Sequence, residues 1–537
     1  MKRKHTKLIC LGLALCLLTG LALGCNSSTN KTETATSEDA AQTTDQTTET
    51  TAAAAPDGTP PEGMGQPPER PDGTPPGGMG QPPERSDGTP PEGMGQPPER
   101  PDGTPPGGMP GGPGGMGQPP AGGPGGGPGG SSADIDYKGA VEITAADSQS
   151  GQTYASDTAD ESALLVSTGD AVTVDEPTVT KSGSSDGGDS CNFYGLNAAA
   201  LIKDGANVTI TGGTITSDAM GANGVFCYGG NGGRNGAAGD GTTLTIRDTV
   251  ITTTGGGSGG IMTTGGGFTY AYDLTVTTSG QSSAPIRTDR GGGTVYVDGG
   301  TYTSNGLGSP TIYSTAEIHV SNATLTSNLS EGVCIEGKNS IELTNCDMTA
   351  NNTKMNSNAS FLDTIMIYQS MSGDADSGTS AFTMTGGSLT SKSGHVFHVT
   401  NTNAVINLND VTILNEDAQN ILLSVCADGW SGASNVATLN ASKQALAGTI
   451  LVGSDSTLTL NLTDGSVLIG TISGSITNAK GEVVSTEVGT VDVTLDSTST
   501  WVLTGDTYIT SFTGEAANIV SNGYTLYVNG VALTGTK

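Results

Sequence analysis

The sequence predicts an all-β chain that folds as a right-handed parallel β-helix, a three-faced solenoid with coils of about 23–25 residues, behind a disordered stalk. A nine-residue frame recurs along the second half of the chain, and a Pro/Gly-rich repeat with too little apolar surface for a core precedes it. Aromatic residues make up only 4% of the chain, which suits the narrow interior of a stacked solenoid. No apolar period of 3.6 residues runs beyond about two turns in the mature region, which excludes an α or α/β domain.

Each copy of the frame predicts a strand, a corner and a second strand. Its key apolar residue recurs at Ile210, Ile246, Val297, Val320, Leu343, Met384 and Leu408. Two residues later stand Gly212, Asp248, Gly299, Asn322, Asn345, Gly386 and Asp410, which are the residue types that best tolerate a left-handed backbone bend. The most closely spaced copies lie 23 residues apart (Val297, Val320, Leu343) or 24 apart (Met384, Leu408), which is a solenoid period.

Apolar residues fifteen positions after the key residue predict a third strand, so that every coil has three faces. They are Val225, Ile261, Ile312, Ile335, Val399 and Leu423. We expect the β-helix to cover residues 134–432, and further coils with a cap to cover 433–537. In that last part Trp501, Tyr524 and Tyr527 would shield the final coil from edge pairing.

The N-terminus predicts where the protein resides. A basic start is followed by an apolar segment over residues 8–23 and by Ala22-Leu23-Gly24-Cys25. This arrangement resembles a bacterial lipoprotein signal, with residues 1–25 forming the signal peptide and its lipobox. The resemblance implies that Cys25 becomes the lipidated first residue, which anchors the protein by its lipid to the extracellular face of the bacterial cell membrane.

Residues 26–133 predict a disordered linker. Its first part consists mostly of Thr, Ser, Ala, Gln and acidic residues, and from Pro56 a fifteen-residue Pro/Gly/Met repeat begins and restarts at Pro71, Ser86 and Pro101. Such tracts cannot bury enough apolar surface to offset the entropy of ordering, and they form extended, semi-stiff spacers. We therefore expect a stalk that lifts the solenoid off the membrane.

The net charge of the chain limits the kinds of molecule that it can bind. The formal net charge is −32, so the chain repels nucleic acid, which we exclude as a partner. Divalent cations suit it better, and calcium is the candidate cofactor. Two acidic turns supply candidate calcium ligands, namely Asp186 and Asp189 in the first turn and Asp374 and Asp376 in the second. Five cysteines after Cys25 predict small buried residues, with one disulfide left open.

The compact cluster of Arg287, Asp289 and Arg290 has two interpretations. It is either a pair of guanidinium groups that binds a carboxylate or acts in catalysis, or a surface ion pair in a turn. The sequence lacks the grouped aspartates of a polygalacturonase and the clustered calcium carboxylates of a pectate lyase. His395 and His398 flank an alternating apolar pair, which predicts solvent-facing strand residues. No catalytic residue is assigned.

A column of residues next to the third-strand core predicts a binding face. It contains Phe226, Met262, Arg287, Tyr313, Glu336 and Tyr368. By strand alternation these side chains point outward, and aromatic faces on an exposed sheet can stack on sugar rings. The alternative is that Tyr and Phe stand here for their β propensity, and a register slip of one residue would turn the column inward.

The coils from about residue 137 to 430 resemble secreted right-handed parallel β-helix repeat proteins of Gram-positive bacteria, and the stalk resembles those of surface lipoproteins with carbohydrate-binding β-helix domains. The resemblance implies a non-catalytic, adhesin-like or glycan-binding surface protein, with a polysaccharide or another cell-surface ligand as its partner. The alternatives are a polysaccharide lyase or glycoside hydrolase of the β-helix type, and a structural spacer.

Overall fold

The computed structural model describes residues 135–232, 238–370 and 372–537. The signal peptide with Cys25 and the linker up to residue 133 lie outside these residues. The described chain is almost entirely β, and its strands, numbered β1 to β46 along the chain, build three long sheets. Up to residue 415 each coil contributes one strand to each sheet in turn, as in a right-handed parallel β-helix.

The first sheet has 13 strands, paired in parallel. They are β1 (Lys138–Ile143), β4 (Glu161–Ser167), β7 (Ala200–Lys203), β10 (Val225–Tyr228), β13 (Ile261–Thr264), β16 (Ile286–Thr288), β19 (Ile312–Ser314), β22 (Val333–Glu336), β25 (Asp363–Tyr368), β28 (His395–Thr400), β31 (Ile421–Val425), β34 (Thr449–Val452) and β37 (Ile472–Ser473).

The second sheet has 14 strands. They are β2 (Asp147–Ser150), β5 (Ala171–Asp175), β8 (Asn207–Thr211), β11 (Thr243–Arg247), β14 (Gly267–Tyr272), β17 (Gly293–Asp298), β20 (Glu317–Ser321), β23 (Ser340–Thr344), β26 (Thr379–Thr385), β29 (Asn403–Asn409), β32 (Asn435–Ser442), β35 (Ser456–Thr463), β40 (Thr490–Leu495) and β43 (Ser511–Thr513).

The third sheet has 10 strands. They are β3 (Thr153–Ser156), β6 (Thr178–Lys181), β9 (Thr214–Ser217), β12 (Val250–Thr253), β15 (Thr275–Thr278), β18 (Thr301–Ser304), β21 (Thr324–Ser327), β24 (Asp347–Asn351), β27 (Ser388–Ser393) and β30 (Thr412–Asn415).

The coils change after residue 415. A four-stranded sheet takes the place of the third sheet, with β33 (Ala445–Ala447), β36 (Val467–Gly470), β41 (Thr500–Leu503) and β44 (Ile519–Val520). Two small sheets complete this part: β38 (Ile476–Thr477) with β39 (Val483–Ser485), and β42 (Thr507–Ile509) with β45 (Leu526–Val528) and β46 (Val531–Ala532). Trp501 is fully buried in this region, whereas Tyr524 is 42% exposed and leaves its ring in solvent.

The predicted corners are confirmed. All seven corner residues have a left-handed backbone, with φ between 52° at Asn345 and 77° at Gly299. In this conformation the Cβ of most L-residues meets the following carbonyl oxygen, whereas Gly, Asn and Asp adopt it at least cost. The corner joins a strand of the second sheet to a strand of the third, and so it sets the angle between these two faces.

The interior of the solenoid is a continuous apolar column. The key residues of the frame are all at most 3% exposed, and strands of successive coils pair like with like, as in Val297 opposite Val320 opposite Leu343. Each coil thus stacks its side chains on the same positions of the next coil. The five described cysteines are free and buried, in agreement with their predicted role as small interior residues.

One short α-helix, α1 (Asp189–Tyr194), lies against the first sheet, and a 3-10 turn covers Ala516–Asn518. Phe193 and Tyr194 of α1 pack with Phe226 and Met262 in a separate apolar cluster. Across the described part of the chain, no helix is long and apolar enough to span a membrane.

Candidate functional site

A groove lies on the outer face of the first sheet across β19, β22 and β25. Its walls include Tyr313, Glu336, Tyr368, Asp374 and Trp430, and its volume is about 250 Å³. An adjoining hollow of about 590 Å³ shares Tyr313, Tyr368 and Asn356 with it and extends to Arg287. We call these two connected depressions the Tyr313–Tyr368 groove.

Glu336 organises this groove. Tyr313 and Tyr368 both donate their phenol hydrogen to Glu336 Oε2, at 2.5 and 3.1 Å. The other carboxylate oxygen accepts hydrogen bonds from Ser370 Oγ and, at 3.3 Å, from Ser372 Oγ. A carboxylate has about four lone-pair sites, so these four hydroxyl groups saturate it. Burial, followed by the charge of Glu336, raises the pKa of both tyrosines well above 10, so both phenols stay protonated and continue to donate.

Strand geometry brings these residues together. Glu336 and Tyr368 occupy paired positions at the ends of β22 and β25, whereas Tyr313 on β19 lies opposite Cys334. The predicted column placed Glu336 beside Tyr313, and this register is wrong by two residues. The error arises because Val333, not Ile335, pairs with Ile312 in the core, so Tyr313 reaches Glu336 diagonally.

The arginine cluster is a set of internal ion pairs at one side of the groove. Arg287 Nη2 lies 2.6 Å from Asp289 Oδ2, and Arg290 Nη2 lies 2.5 Å from Asp374 Oδ1. The Arg287 guanidinium also stands 5.6 Å from the ring centroid of Tyr313. Burial raises the pKa of Asp289 to about 6, although the charge of Arg287 lowers it in part. Each guanidinium is therefore already neutralised by a carboxylate of the chain.

An aromatic wall and a second buried acid complete the groove. The rings of Tyr368 and Trp430 lie 4.9 Å apart at 57°. Glu331 lines the same groove and is 6% exposed. Burial raises the pKa of Glu331, which favours its neutral acid form relative to an exposed glutamate.

Part of the predicted outward column is covered. Phe226 is 0% exposed, Met262 1% and Glu336 2%, so the expectation that the column forms an open binding face is wrong for these three residues. Phe226 and Met262 do point away from the coil interior, but α1 packs over them. Alternation along a strand distinguishes inward from outward, and it carries no information about a distant segment that folds over the outer face.

The prediction that His395 and His398 face solvent is also wrong. They are 6% and 0% exposed, because Phe361 packs its ring 5.4 Å from His395 and 4.8 Å from His398. Ser424 Oγ lies 2.7 Å from His395 Nδ1 and 2.8 Å from His398 Nδ1, and Asp428 Oδ2 lies 3.4 Å from His398 Nε2. Burial and the neighbouring His398 lower the pKa of His395 to about 3.

This buried network fastens one wall of the groove. Asp428 Oδ1 accepts hydrogen bonds from the backbone nitrogen of Ser360 at 2.8 Å and from the hydroxyl of the same residue. Burial alone would raise the pKa of Asp428, but the neighbouring ring of His398 and the hydrogen bonds from Ser360 and Gly429 lower it below its usual value. Residues 352–362, which carry Asn356 into the groove, are thereby tied to the loop that carries Trp430.

The four aspartates proposed as calcium ligands lie at three separate places. Asp186 and Asp189 are exposed at the start of α1. Asp374 pairs with Arg290, and Asp376 lies 3.0 Å from Lys338 Nζ. Over the described ranges, no three His, Cys, Asp or Glu side chains are grouped so as to hold a metal ion. The chain's own cations thus neutralise the second acidic turn.

Of the residues predicted for ligand binding, the structure brings Arg287, Tyr313, Glu336 and Tyr368 to the groove, with Asp289 and Arg290 beside them. Sequence reasoning missed Trp430, Asn356 and Glu331, which lie in the connections between strands, where no periodicity applies. Trp430 carried a weak signal, because it is one of only two tryptophans in the chain. Comparison with protein-family models, curated proteins and solved structures finds no match for this chain.

Proposed function

We propose that this protein is a non-catalytic cell-surface lipoprotein whose β-helix binds a glycan in the Tyr313–Tyr368 groove. The observation that carries the proposal is the convergence of Tyr313 and Tyr368 on Glu336 beside the ring of Trp430. The combination supplies apolar ring surface for the C–H faces of a sugar and polar groups for its hydroxyls, in a concave site of suitable size.

The saturation of Glu336 favours binding over proton transfer. A carboxylate that already accepts four hydroxyl hydrogen bonds is held in one orientation and fixes the two tyrosine rings. The two arginines are likewise engaged with Asp289 and Asp374. We infer that Glu336 is a positioning residue and that the ring of Tyr368 and the amide of Asn356 make the contacts to the sugar, supported from behind by the ring of Trp430, which is 9% exposed.

The cell-surface part of the proposal rests on the first 133 residues. A lipid at Cys25 and an extended Pro/Gly stalk would hold the solenoid away from the membrane. A rigid solenoid on such a stalk presents the groove to polysaccharides outside the cell, where a net charge of −32 keeps it apart from anionic surfaces.

The test is a glycan array and a pull-down on insoluble polysaccharides with the full chain, with and without calcium. We expect specific retention of one class of glycan, and at least a tenfold weaker Kd for Trp430→Ala and Tyr368→Leu. Tyr508→Ala is the matched control, because Tyr508 is 50% exposed and lies outside the groove. Retention that is equal in all variants would place the ligand elsewhere, and no retention would favour protein adhesion or a spacer.

Glu331 favours a second candidate, a polysaccharide hydrolase. It is a buried acid whose raised pKa suits a proton donor, and it lines the same groove as the carboxylate of Glu336. Mass spectrometry of the retained glycan distinguishes the two functions. Shortened oligosaccharides that disappear in Glu331→Gln would replace the binding proposal by an enzymatic one, whereas an unchanged glycan mass supports binding without cleavage.

A further inference from the structure

The outer face of the second sheet carries a column of stacked rings that the proposed function does not use. Tyr270 and Tyr296 lie 5.3 Å apart with ring planes within 7°, and Tyr296 and His319 lie 4.9 Å apart within 10°. Tyr296 is 41% exposed. Pairing of β14, β17 and β20 places the three rings on successive coils, one above the other.

Carboxylates surround this column. His319 Nδ1 lies 3.0 Å from Glu342 Oε2, and His319 Nε2 lies 2.9 Å from Glu317 Oε1. Asp298 stands next to Tyr296 on the same strand face. The hydrogen bonds it accepts from side chains in the described residues come from neutral donors, Ser321 Oγ at 3.0 Å and Asn322 Nδ2 at 2.6 Å. The negative charge of Asp298 therefore faces the groove without a cationic partner from the described chain.

The chain itself shows which chemistry this face accepts. The guanidinium of Arg247 lies 4.9 Å from the ring centroid of Tyr272, in the neighbouring column of the same sheet. Electron-rich rings attract cations to their faces, and a carboxylate beside the ring adds to this attraction. Asp298 pairs with Tyr272 on the next strand, on the side away from Arg247, and both line a groove of about 440 Å³ in which the described chain places no cation between them. Tyr296 contributes its ring edge to this groove, because Tyr270 and His319 cover its two faces.

The shape of the groove indicates an extended ligand. Its lining comes from β14, β17, β20 and β23, which are four successive coils. With about 4.8 Å between neighbouring strands, four coils span roughly 14 Å, the length of about four residues of extended peptide. A chain with a net charge of −32 also draws a basic partner towards it over a longer range.

We propose that this surface, the Tyr272–Tyr296 groove, binds an extended basic peptide segment of a partner protein, with an arginine side chain placed against the ring of Tyr272 and paired with Asp298. The site lies on a different sheet from the glycan groove, so an experiment can disprove one of the two binding proposals without affecting the other. With this groove the protein would bind a second class of ligand, a cationic polypeptide, in addition to a sugar.

The test is fluorescence polarisation with the full chain at 0.15 M salt, using a labelled eight-residue peptide of alternating Arg and Ser. We expect Tyr272→Leu to weaken the Kd at least tenfold and Tyr272→Phe to change it less than twofold, because phenylalanine keeps the ring. Asp298→Asn should weaken the Kd about fivefold, whereas Asp492→Asn, which removes the same charge from the same sheet face, should change it less than twofold.

Several results would overturn the proposal. Equal losses for Asp298→Asn and Asp492→Asn would mean diffuse attraction to an acidic protein, and unchanged binding in Tyr272→Leu would rule out the aromatic contact. Competition by tetramethylammonium at the concentration of the peptide would identify a small organic cation as the ligand instead. The control Tyr508→Leu removes an exposed ring that stacks on Tyr527 at 4.6 Å, and a loss there equal to that of Tyr272→Leu would also contradict a specific site.

Discussion

At Glu336 one carboxylate orders two tyrosines from different strands and two serines from a single segment. The Tyr313 and Tyr368 phenols reach it from β19 and β25, and Ser370 and Ser372 reach it from the segment that follows β25. An acceptor that serves four donors is sensitive to isosteric change, because an amide replaces one acceptor oxygen by a donor nitrogen. The identity of this one residue thus determines how the groove is arranged.

Glu336→Gln should leave two hydroxyl groups facing an N–H₂ group. We expect a loss of about 1–3 kcal/mol in the free energy of unfolding and about tenfold weaker glycan binding. Urea unfolding and the glycan pull-down measure the two effects. Glu342→Gln, which makes the same change at an exposed position on the second sheet, is the control. Equal effects of the two substitutions would contradict the special role of Glu336.

His395 should make stability depend on pH. Burial and the neighbouring His398 lower its pKa from 6.5 to about 3. The unfolded chain therefore binds a proton between pH 6.5 and 3 that the folded chain does not, so this contribution is complete above pH 6.5 and is lost as the pH falls to about 3. Across the window the loss is on the order of a few kcal/mol.

Urea unfolding of the wild type and of His395→Gln at pH 7, 5 and 4 measures this dependence. We expect the free energy of unfolding to fall less steeply on acidification in the variant. The pKa of Asp289 is raised to about 6, so the folded chain holds a proton on this residue between pH 6 and 3.8 that the unfolded chain does not hold. Asp289 therefore raises the free energy of unfolding on acidification, whereas His395 lowers it. Parallel pH profiles for wild type and His395→Gln would refute the assignment.

At the scale of the structural element, the corner between the second and third sheets is the unit that repeats. Asn345 has φ 52°, and its neighbour in the next coil, Gly386, has φ 65°. Asn345→Ala should therefore cost about 1–2 kcal/mol in the free energy of unfolding, because alanine pays the full steric penalty of the left-handed region. Asn345→Gly is the matched control, which we expect to be close to neutral, and equal losses would show that a side-chain contact matters instead.

The segment over residues 352–362 is an element without regular secondary structure, held over the first sheet by Phe361 and by the bonds between Ser360 and Asp428. Asp428→Asn should weaken this attachment, since charge-assisted hydrogen bonds are about twice as strong as neutral ones. We expect faster amide hydrogen exchange in residues 352–362, measured by mass spectrometry, and unchanged exchange in strands β17 and β20. Unchanged exchange in residues 352–362 would show that apolar packing alone holds the segment.

At the scale of the whole molecule, the chain combines a rigid solenoid with an N-terminal region of a different composition. If Cys25 is lipidated, Cys25→Ser should move the protein from the membrane fraction to the soluble fraction and abolish incorporation of a labelled fatty acid. Fractionation and metabolic labelling in a bacterial host test this. The conservative change Asn26→Ser beside it should leave both unchanged, and continued membrane association of Cys25→Ser would refute the lipid anchor.

The solenoid itself was readable from the sequence because its information is local and periodic. A left-handed corner requires Gly, Asn or Asp at one position, and a stacked core requires an apolar residue at fixed distances from it, so both requirements repeat in every coil. Asp248, Asn322 and Asp410 therefore had the predicted backbone, and Ile246, Val320 and Leu408 were buried as predicted. One frame was sufficient to place the interior of the fold.

Only the tertiary structure decided what covers the outer faces. Alternation placed Phe226 outside the coil, and their position beside an apolar pair predicted exposed His395 and His398, but α1 and the segment that carries Phe361 bury these residues through contacts distant in sequence. The same holds for Trp430, whose position beside Tyr368 depends on a loop without a period. Strand periodicity determines the inside of a solenoid, whereas its functional surface depends on the connections, whose paths follow from long-range packing.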